Sequence, residues 1–255
     1  MLRTMGIYIY AGLLVVATYF KLQKAKKSFH SENDRQSNEY YFEQPKTVSR
    51  KVLERTGSTV TVKGQENLPD GAVLFVANHQ GLFDILALLG YLGKPVGFIA
   101  KKEINKLPII RSWMKLIYCV FIDRNDRRQS MKAINEGIEY LKDGHSLVIF
   151  PEGTRSRGGK LNPFKPGSLR LATKARVPIV PITINGTYQM LEEDGGRIKA
   201  SDVSLTIGKP MYPEAYKEMK SAEIAESLQN TIEKTLQTEN AEKNAANIEE
   251  ALTVQ

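Results

Sequence analysis

The chain has 255 residues, 42% hydrophobic and 25% charged. These proportions fit one catalytic-sized globular domain and exclude disordered, collagen-like and multi-pass membrane classes. The net charge of +8 is unevenly placed: residues 214–255 hold nine Glu and four Lys, which leaves +13 on the remainder. A basic body points to nucleic acid, an anionic membrane or a phosphorylated small substrate, and the single cysteine, Cys119, excludes a disulfide scaffold or a multi-cysteine zinc centre.

Residues 4–20 carry no charge and are mostly apolar. As a helix they would span about 25 Å, near the lower limit for crossing a hydrocarbon core. Arg3 precedes them, and Lys21, Lys24, Lys26 and Lys27 follow. The charge bias places the rest of the chain on the cytoplasmic side of the cell membrane. An anchor with its basic flank is therefore expected over 1–27, with an interfacial helix as the alternative. A cleaved signal peptide is disfavoured by the four lysines that would follow the cleavage site.

Residues 28–45 are polar and read as a linker, and the globular domain is expected over 46–236, opening with a helical stretch before the strand at 60–64. Seven apolar stretches have strand character: 60–64, 72–78, 96–100, 118–123, 146–150, 178–184 and 203–208. Between them, 127–142 carries Met131, Ala133, Ile134, Ile138 and Leu141 on one helical face, and Asp143-Gly144 stops it. A second helical pattern, 103–116, contains Trp113 and Met114. Ile224, Leu228, Ile232 and Leu236 mark a last amphipathic helix, and the Glu-, Asn- and Ala-rich residues 237–255 read as a frayed or disordered tail. Strands alternating with helices predict an α/β fold: a single domain with a largely parallel central sheet flanked by helices, preceded by an N-terminal membrane helix.

Open α/β folds place their sites where strands end, and four polar clusters fall there. In Asn78–Asp84, His79 and Asp84 stand five apart: a structural pair, or a base whose tautomer the carboxylate fixes. Arg124 closes 121–124 as a surface ion pair with Asp123 or Asp126, or as an anion ligand assisted by residues 101–103. In Phe150–Ser156, the residues Glu152, Gly153, Thr154 and Arg155 make an ordinary turn or a seat for a phosphate or glycerol oxygen. Val177–Ile182 reads as packing. His30 and His145 are expected in solvent, and Cys119 in the core. The sequence holds no Walker A, no GxGxxG after a strand and no HExxH, so ATPase, dinucleotide and zinc-hydrolase readings lack support.

The order NHxxxxD, FIDR, FPEGTRS, VPIVPI, at these separations, resembles the glycerolipid acyltransferase family, and within it the bacterial 1-acylglycerol-3-phosphate acyltransferases, over roughly residues 50–210. The resemblance implies that His79 is the general base and Asp84 its orienting carboxylate. It also implies that Arg124, Glu152, Gly153 and Arg155 serve the acceptor's phosphate and glycerol, with Thr154 beside them. Gly81 stands where the family often has serine, and Cys119 where glycine often precedes the second motif. The implied reaction moves a fatty acyl group from a thioester to the free hydroxyl of lysophosphatidate, giving phosphatidate. No cofactor or metal is expected. The thioester co-substrate rides on coenzyme A or acyl carrier protein, and the partners are the lysolipid, the donor and membrane lipid. Another lysolipid acceptor, thioester hydrolysis, and non-enzymatic binding of anionic lipid are the alternatives. The basic residues are scattered rather than interleaved with aromatics, so nucleic acid is not expected.

Overall fold

The computed structural model describes residues 1–29, 35–156 and 160–253. In chain order the elements are α1 (Leu2–Ala17), α2 (Tyr19–Ser28), α3 (Arg35–Arg55), β1 (Thr59–Lys63), β2 (Leu74–Ala77), α4 (Phe83–Tyr91), β3 (Gly97–Lys101), α5 (Pro108–Leu116), β4 (Val120–Ile122) and α6 (Arg127–Lys142). They continue with β5 (Leu147–Ile149), α7 (Arg170–Ala175), β6 (Ile179–Asn185), α8 (Thr187–Leu191), β7 (Asp202–Ile207), α9 (Pro213–Tyr216) and α10 (Ser221–Thr253). All seven expected strands form one sheet of order β1-β7-β6-β2-β5-β3-β4. Strands β6, β2, β5, β3 and β4 run parallel, while β7 is antiparallel to β6 and parallel to β1.

The central strands are continuous apolar runs because helices cover both faces. Alternate side chains divide between two cores. Leu74 and Val76 pack with Ile138 and Leu141 of α6 and with Ile224, Leu228, Ile232 and Leu236 of α10. Phe75 and Ala77 pack on the other side with Phe83, Ala87 and Leu88 of α4. Asp126 caps α6, its Oδ1 accepting from the amides of Arg128 (2.9 Å) and Gln129 (3.0 Å), and Gly144, at φ +94°, ends it. Met131 departs from the expected face and is exposed. Cys119 is a core residue whose burial pushes its thiol pKa up to about 12.

Four sequence expectations change. The uncharged N-terminal segment is not one straight helix: α1 and α2 bend by 41° at Thr18, and no single helix among the described residues is long and apolar enough to cross a membrane. One side of the pair is packed on the domain. Ile7, Leu22 and Ala25 are buried, Arg3 Nη2 donates to Thr56 O (2.6 Å), and Trp113 Nε1 donates to Thr18 Oγ1 (2.8 Å). Second, most of the expected linker belongs to α3, because Tyr41 and Phe42 enter the same core as Leu53. Third, the expected disordered tail continues α10. Glu239, only 6% exposed, accepts hydrogen bonds from Ser204 Oγ (2.6 Å), Thr206 Oγ1 (2.5 Å) and Asn185 Nδ2 (3.3 Å), which fastens the helix to β6 and β7.

Fourth, His145 is partly buried rather than solvent-facing. Its ring stacks on Tyr118 with centroids 3.4 Å apart, and Nδ1 accepts from Asn38 Nδ2 (2.8 Å). It lines a cavity with Gly97, Ile117 and Ser146 at the N-terminal edge of β3 and β5, the end of the sheet opposite the motifs. His30, residues 31–34 of the expected linker and residues 254–255 of the expected tail lie outside the described residues.

Candidate active site

The chain leaves β2 at Ala77 and enters α4 at Phe83, and the loop between them is fixed from every side. Asn78, fully buried, locks it to β6: its Nδ2 donates to Ile184 O and its Oδ1 accepts from Ile184 N, both at 2.8 Å. Asp84 sits in the first turn of α4 with 0% exposure. Its Oδ2 accepts from Gln80 N (2.7 Å) and Gly81 N (2.9 Å) and lies 2.7 Å from His79 Nδ1. Its Oδ1 accepts from the Thr187 hydroxyl at the start of α8.

This network selects the tautomer. An oxygen that already accepts two amide N–H groups acts as an acceptor toward the ring too, so Nδ1 carries the proton and Nε2 presents a lone pair. The His79 side chain is 18% exposed, and among the described residues Nε2 has no hydrogen-bond partner. The ring also stacks on Phe150, with centroids 4.2 Å apart and planes 22° apart. It is thus held by one edge and one face, with the basic nitrogen unengaged.

The third motif grips the backbone of the first. Glu152 Oε1 accepts from His79 N (2.7 Å), and Oε2 accepts from Asn162 N (2.8 Å) and Nδ2 (3.0 Å). His79 O accepts from Ser156 N (2.7 Å) and Oγ (2.9 Å). Glu152 is 2% exposed, and burial raises its carboxyl pKa above the ordinary value. Both of its oxygens are engaged inside the protein. Glu152 thereby holds the loop that carries His79.

The cations lie around this core. Arg124 donates from Nη1 to Gly153 O, so it does not pair with Asp123, which is bound by Lys102, nor with Asp126. Arg155, exposed, lies with Nη1 3.3 Å from Glu192 Oε1. Thr154 is exposed. Gly153, at φ +73°, adopts a conformation that suits glycine and joins Glu152 to these exposed residues. Sequence reasoning therefore brings His79, Asp84, Arg124 and 152–155 to one end of the sheet. It misses Thr187, Asn162 and Glu192, whose partners lie 10 or more than 100 positions away, and, although Ser156 closes the third cluster, its bond to His79 O, 77 positions away. Among the described residues, no group of three or more His, Cys, Asp or Glu side chains is placed to hold a metal ion.

A model of the acyltransferase family matches residues 59–185, from the start of β1 to the end of β6. The probable 1-acyl-sn-glycerol-3-phosphate acyltransferase of Mycoplasma pneumoniae is 35% identical over 191 residues, covering 70% of this chain and 71% of that one. This chain belongs to the acyltransferase family. A chloroplastic 1-acyl-sn-glycerol-3-phosphate acyltransferase of Brassica napus is 40% identical over 154 residues, 59% of this chain. That match spans only 44% of the plant protein's length. The crystal structure of the 1-acyl-sn-glycerophosphate acyltransferase of Thermotoga maritima superposes with a TM-score of 0.80 at 29% identity, covering 94% of this chain and 95% of that one. The family match encloses His79, Asp84, Arg124 and Glu152–Arg155, and it ends two residues before Thr187.

Proposed function

We propose that this member of the acyltransferase family transfers a fatty acyl group from an acyl thioester to the free hydroxyl of 1-acylglycerol-3-phosphate, giving phosphatidate. The observation that carries the reading is the pair formed by His79 and the fully buried Asp84, with Nε2 left unengaged beside cationic groups. An alcohol is a weak nucleophile at neutral pH, so its proton must leave as it attacks. His79 Nε2 takes that proton while the alkoxide oxygen bonds to the thioester carbonyl carbon. Asp84 orients the ring and stabilises the imidazolium. Collapse of the tetrahedral adduct breaks the carbon–sulfur bond, and the thiolate leaves with the proton held by His79. No covalent acyl-enzyme is needed. Arg124 and Arg155 draw the phosphate of the acceptor to the strand ends and so hold its hydroxyl near His79.

The lipid substrate calls for a membrane surface. Leu2, Met5, Ile9, Leu13, Val16 and Phe20 are exposed at intervals of three and four residues along α1 and the start of α2, a continuous apolar stripe. The lysines at 21, 24, 26 and 27 follow it. This arrangement supports a bent helical pair laid into the cytoplasmic leaflet, apolar side down and lysines at the headgroups.

The test is a transfer assay on the purified chain with acyl-coenzyme A and acyl carrier protein thioesters and a panel of lysolipids. Thiol release that requires lysophosphatidate, with one acyl group appearing on lipid per thiol, is the expected result. Thiol release at full rate without lysolipid would make the chain a hydrolase, and preference for another lysolipid would reassign the acceptor.

A further inference from the structure

A Cβ built on Gly153 would lie 2.7 Å from Lys165 Nζ and 3.2 Å from its Cε. The ammonium group of Lys165 therefore rests against the α-carbon of the residue whose carbonyl Arg124 holds. Two cations from separate parts of the chain thus meet one glycine, Arg124 at its carbonyl and Lys165 at its α-carbon, directly after the glutamate that fastens the backbone of His79.

The base of Lys165 is firmly set. Its amide donates to Pro151 O (3.0 Å), the neighbouring Phe164 is buried and donates from N to Gln229 Oε1 (2.8 Å), and Asn162 is tied to Glu152. Its head is exposed, and among the described residues Nζ has neither an acidic partner nor a hydrogen-bond acceptor. Nearby acids act on other groups: Asp123 on Lys102, Glu192 on Arg155, Glu103 on Arg124 and Lys102, and Glu152 on the amides of His79 and Asn162. The same accounting separates Lys165 from Arg155, whose charge is partly answered by Glu192. A fixed cation without an acidic partner, next to an arginine that only Glu103 acts on electrostatically, makes a preorganised anion seat.

We propose that Lys165 and Arg124, both in contact with Gly153, form the cradle for the acceptor's phosphate monoester, with Arg155 at its rim. Gly153 is the floor of that cradle, where any side chain would displace the lysine head. The proposal rests on the acyl-transfer reading and adds to it a phosphate ligand outside the four motifs.

The experiment uses the full chain as wild type, Lys165→Ala and Lys165→Arg. It measures the KM for lysophosphatidate and for the acyl donor, and the dissociation constant of glycerol 3-phosphate as a soluble probe. Loss of one charge-assisted contact should raise both the lysophosphatidate KM and the glycerol 3-phosphate constant about ten- to a hundredfold in Lys165→Ala. The KM for the donor and the thermal midpoint should stay unchanged, and Lys165→Arg should recover most of the loss. Unchanged values in Lys165→Ala would overturn the cradle, as would a rise confined to the donor KM. Wild-type protein that binds glycerol 3-phosphate through Lys165 yet transfers no acyl group would support the cradle and overturn the acyl-transfer reading alone.

Discussion

At Gly81 the chain has no room for a side chain. A Cβ there would lie 2.3 Å from Glu192 Oε2 and 2.7 Å from its Cδ, while Glu192 Oε1 accepts from Leu82 N (2.9 Å) and pairs with Arg155. The glycine at this motif position thus follows from a carboxylate that closes the start of α4 from behind. Burial raises the pKa of that carboxylate above the ordinary value, and among the described residues its buried Oε2 has no hydrogen-bond partner. Gly81→Ser should cost about 1–3 kcal/mol of stability through overpacking. Adding Glu192→Ala should cost less in the Gly81→Ser background than in wild type, because the two changes share one clash. Urea midpoints of the four proteins test this, and additive losses would contradict it.

Among the elements, the strands and α6 were legible because their signals are local: continuous apolar runs for buried parallel strands, a helical stripe for α6. The half of α3 before Pro45 was not, since Tyr40-Tyr41-Phe42 sit among polar residues and Pro45 lies within the helix, and only packing against α4 reveals the buried side. The end of α10 was misread for the same reason, because Glu239 counts as a tail charge until Ser204, Thr206 and Asn185 surround it. Glu239→Ala should therefore lower stability by about 2–3 kcal/mol, leaving buried donors unanswered. Deletion of 237–255 should do at least as much, whereas a disordered tail would be removed at no cost in a denaturant titration. The five-residue spacing of His79 and Asp84 left a structural pair and an oriented base both open, and only the order of the four motifs favoured the base, while Thr187, 103 positions from Asp84, needed the fold.

His145 lies on the loop between α6 and β5. Burial lowers its pKa from the ordinary 6.5, against a smaller opposing pull from Asp143. Tyr118 and Tyr140 face its ring, Asn38 bonds it, and Glu39 and Lys94 line the same cavity. The unfolded chain therefore takes up the proton first as pH falls, and stability present above pH 6.5 declines below it until the folded protein also protonates. Replacing His145 by Phe should remove that part of the pH dependence between pH 7.5 and 5.5, and an unchanged difference in urea midpoint would contradict the burial argument.

Over the whole molecule, five parallel strands bring the first three motifs to one end of the sheet, while α1 and α2 turn an apolar stripe away from the domain. If that stripe meets lipid, the double variant Leu13→Glu, Phe20→Glu should fold normally and lose most of its binding to anionic phospholipid vesicles. Wild-type binding should persist at high salt, because burial of apolar surface is not screened. Binding of wild-type protein that salt abolishes would point to the lysines alone. The central claim is that His79 Nε2, set by Asp84, deprotonates the acceptor hydroxyl. The most direct measurement is single-turnover acyl transfer to lysophosphatidate by wild type and His79→Ala, with folding checked by thermal midpoint. A loss of about two to four orders of magnitude in rate with the fold retained is expected; transfer at the wild-type rate by folded His79→Ala would rule out His79 as the base.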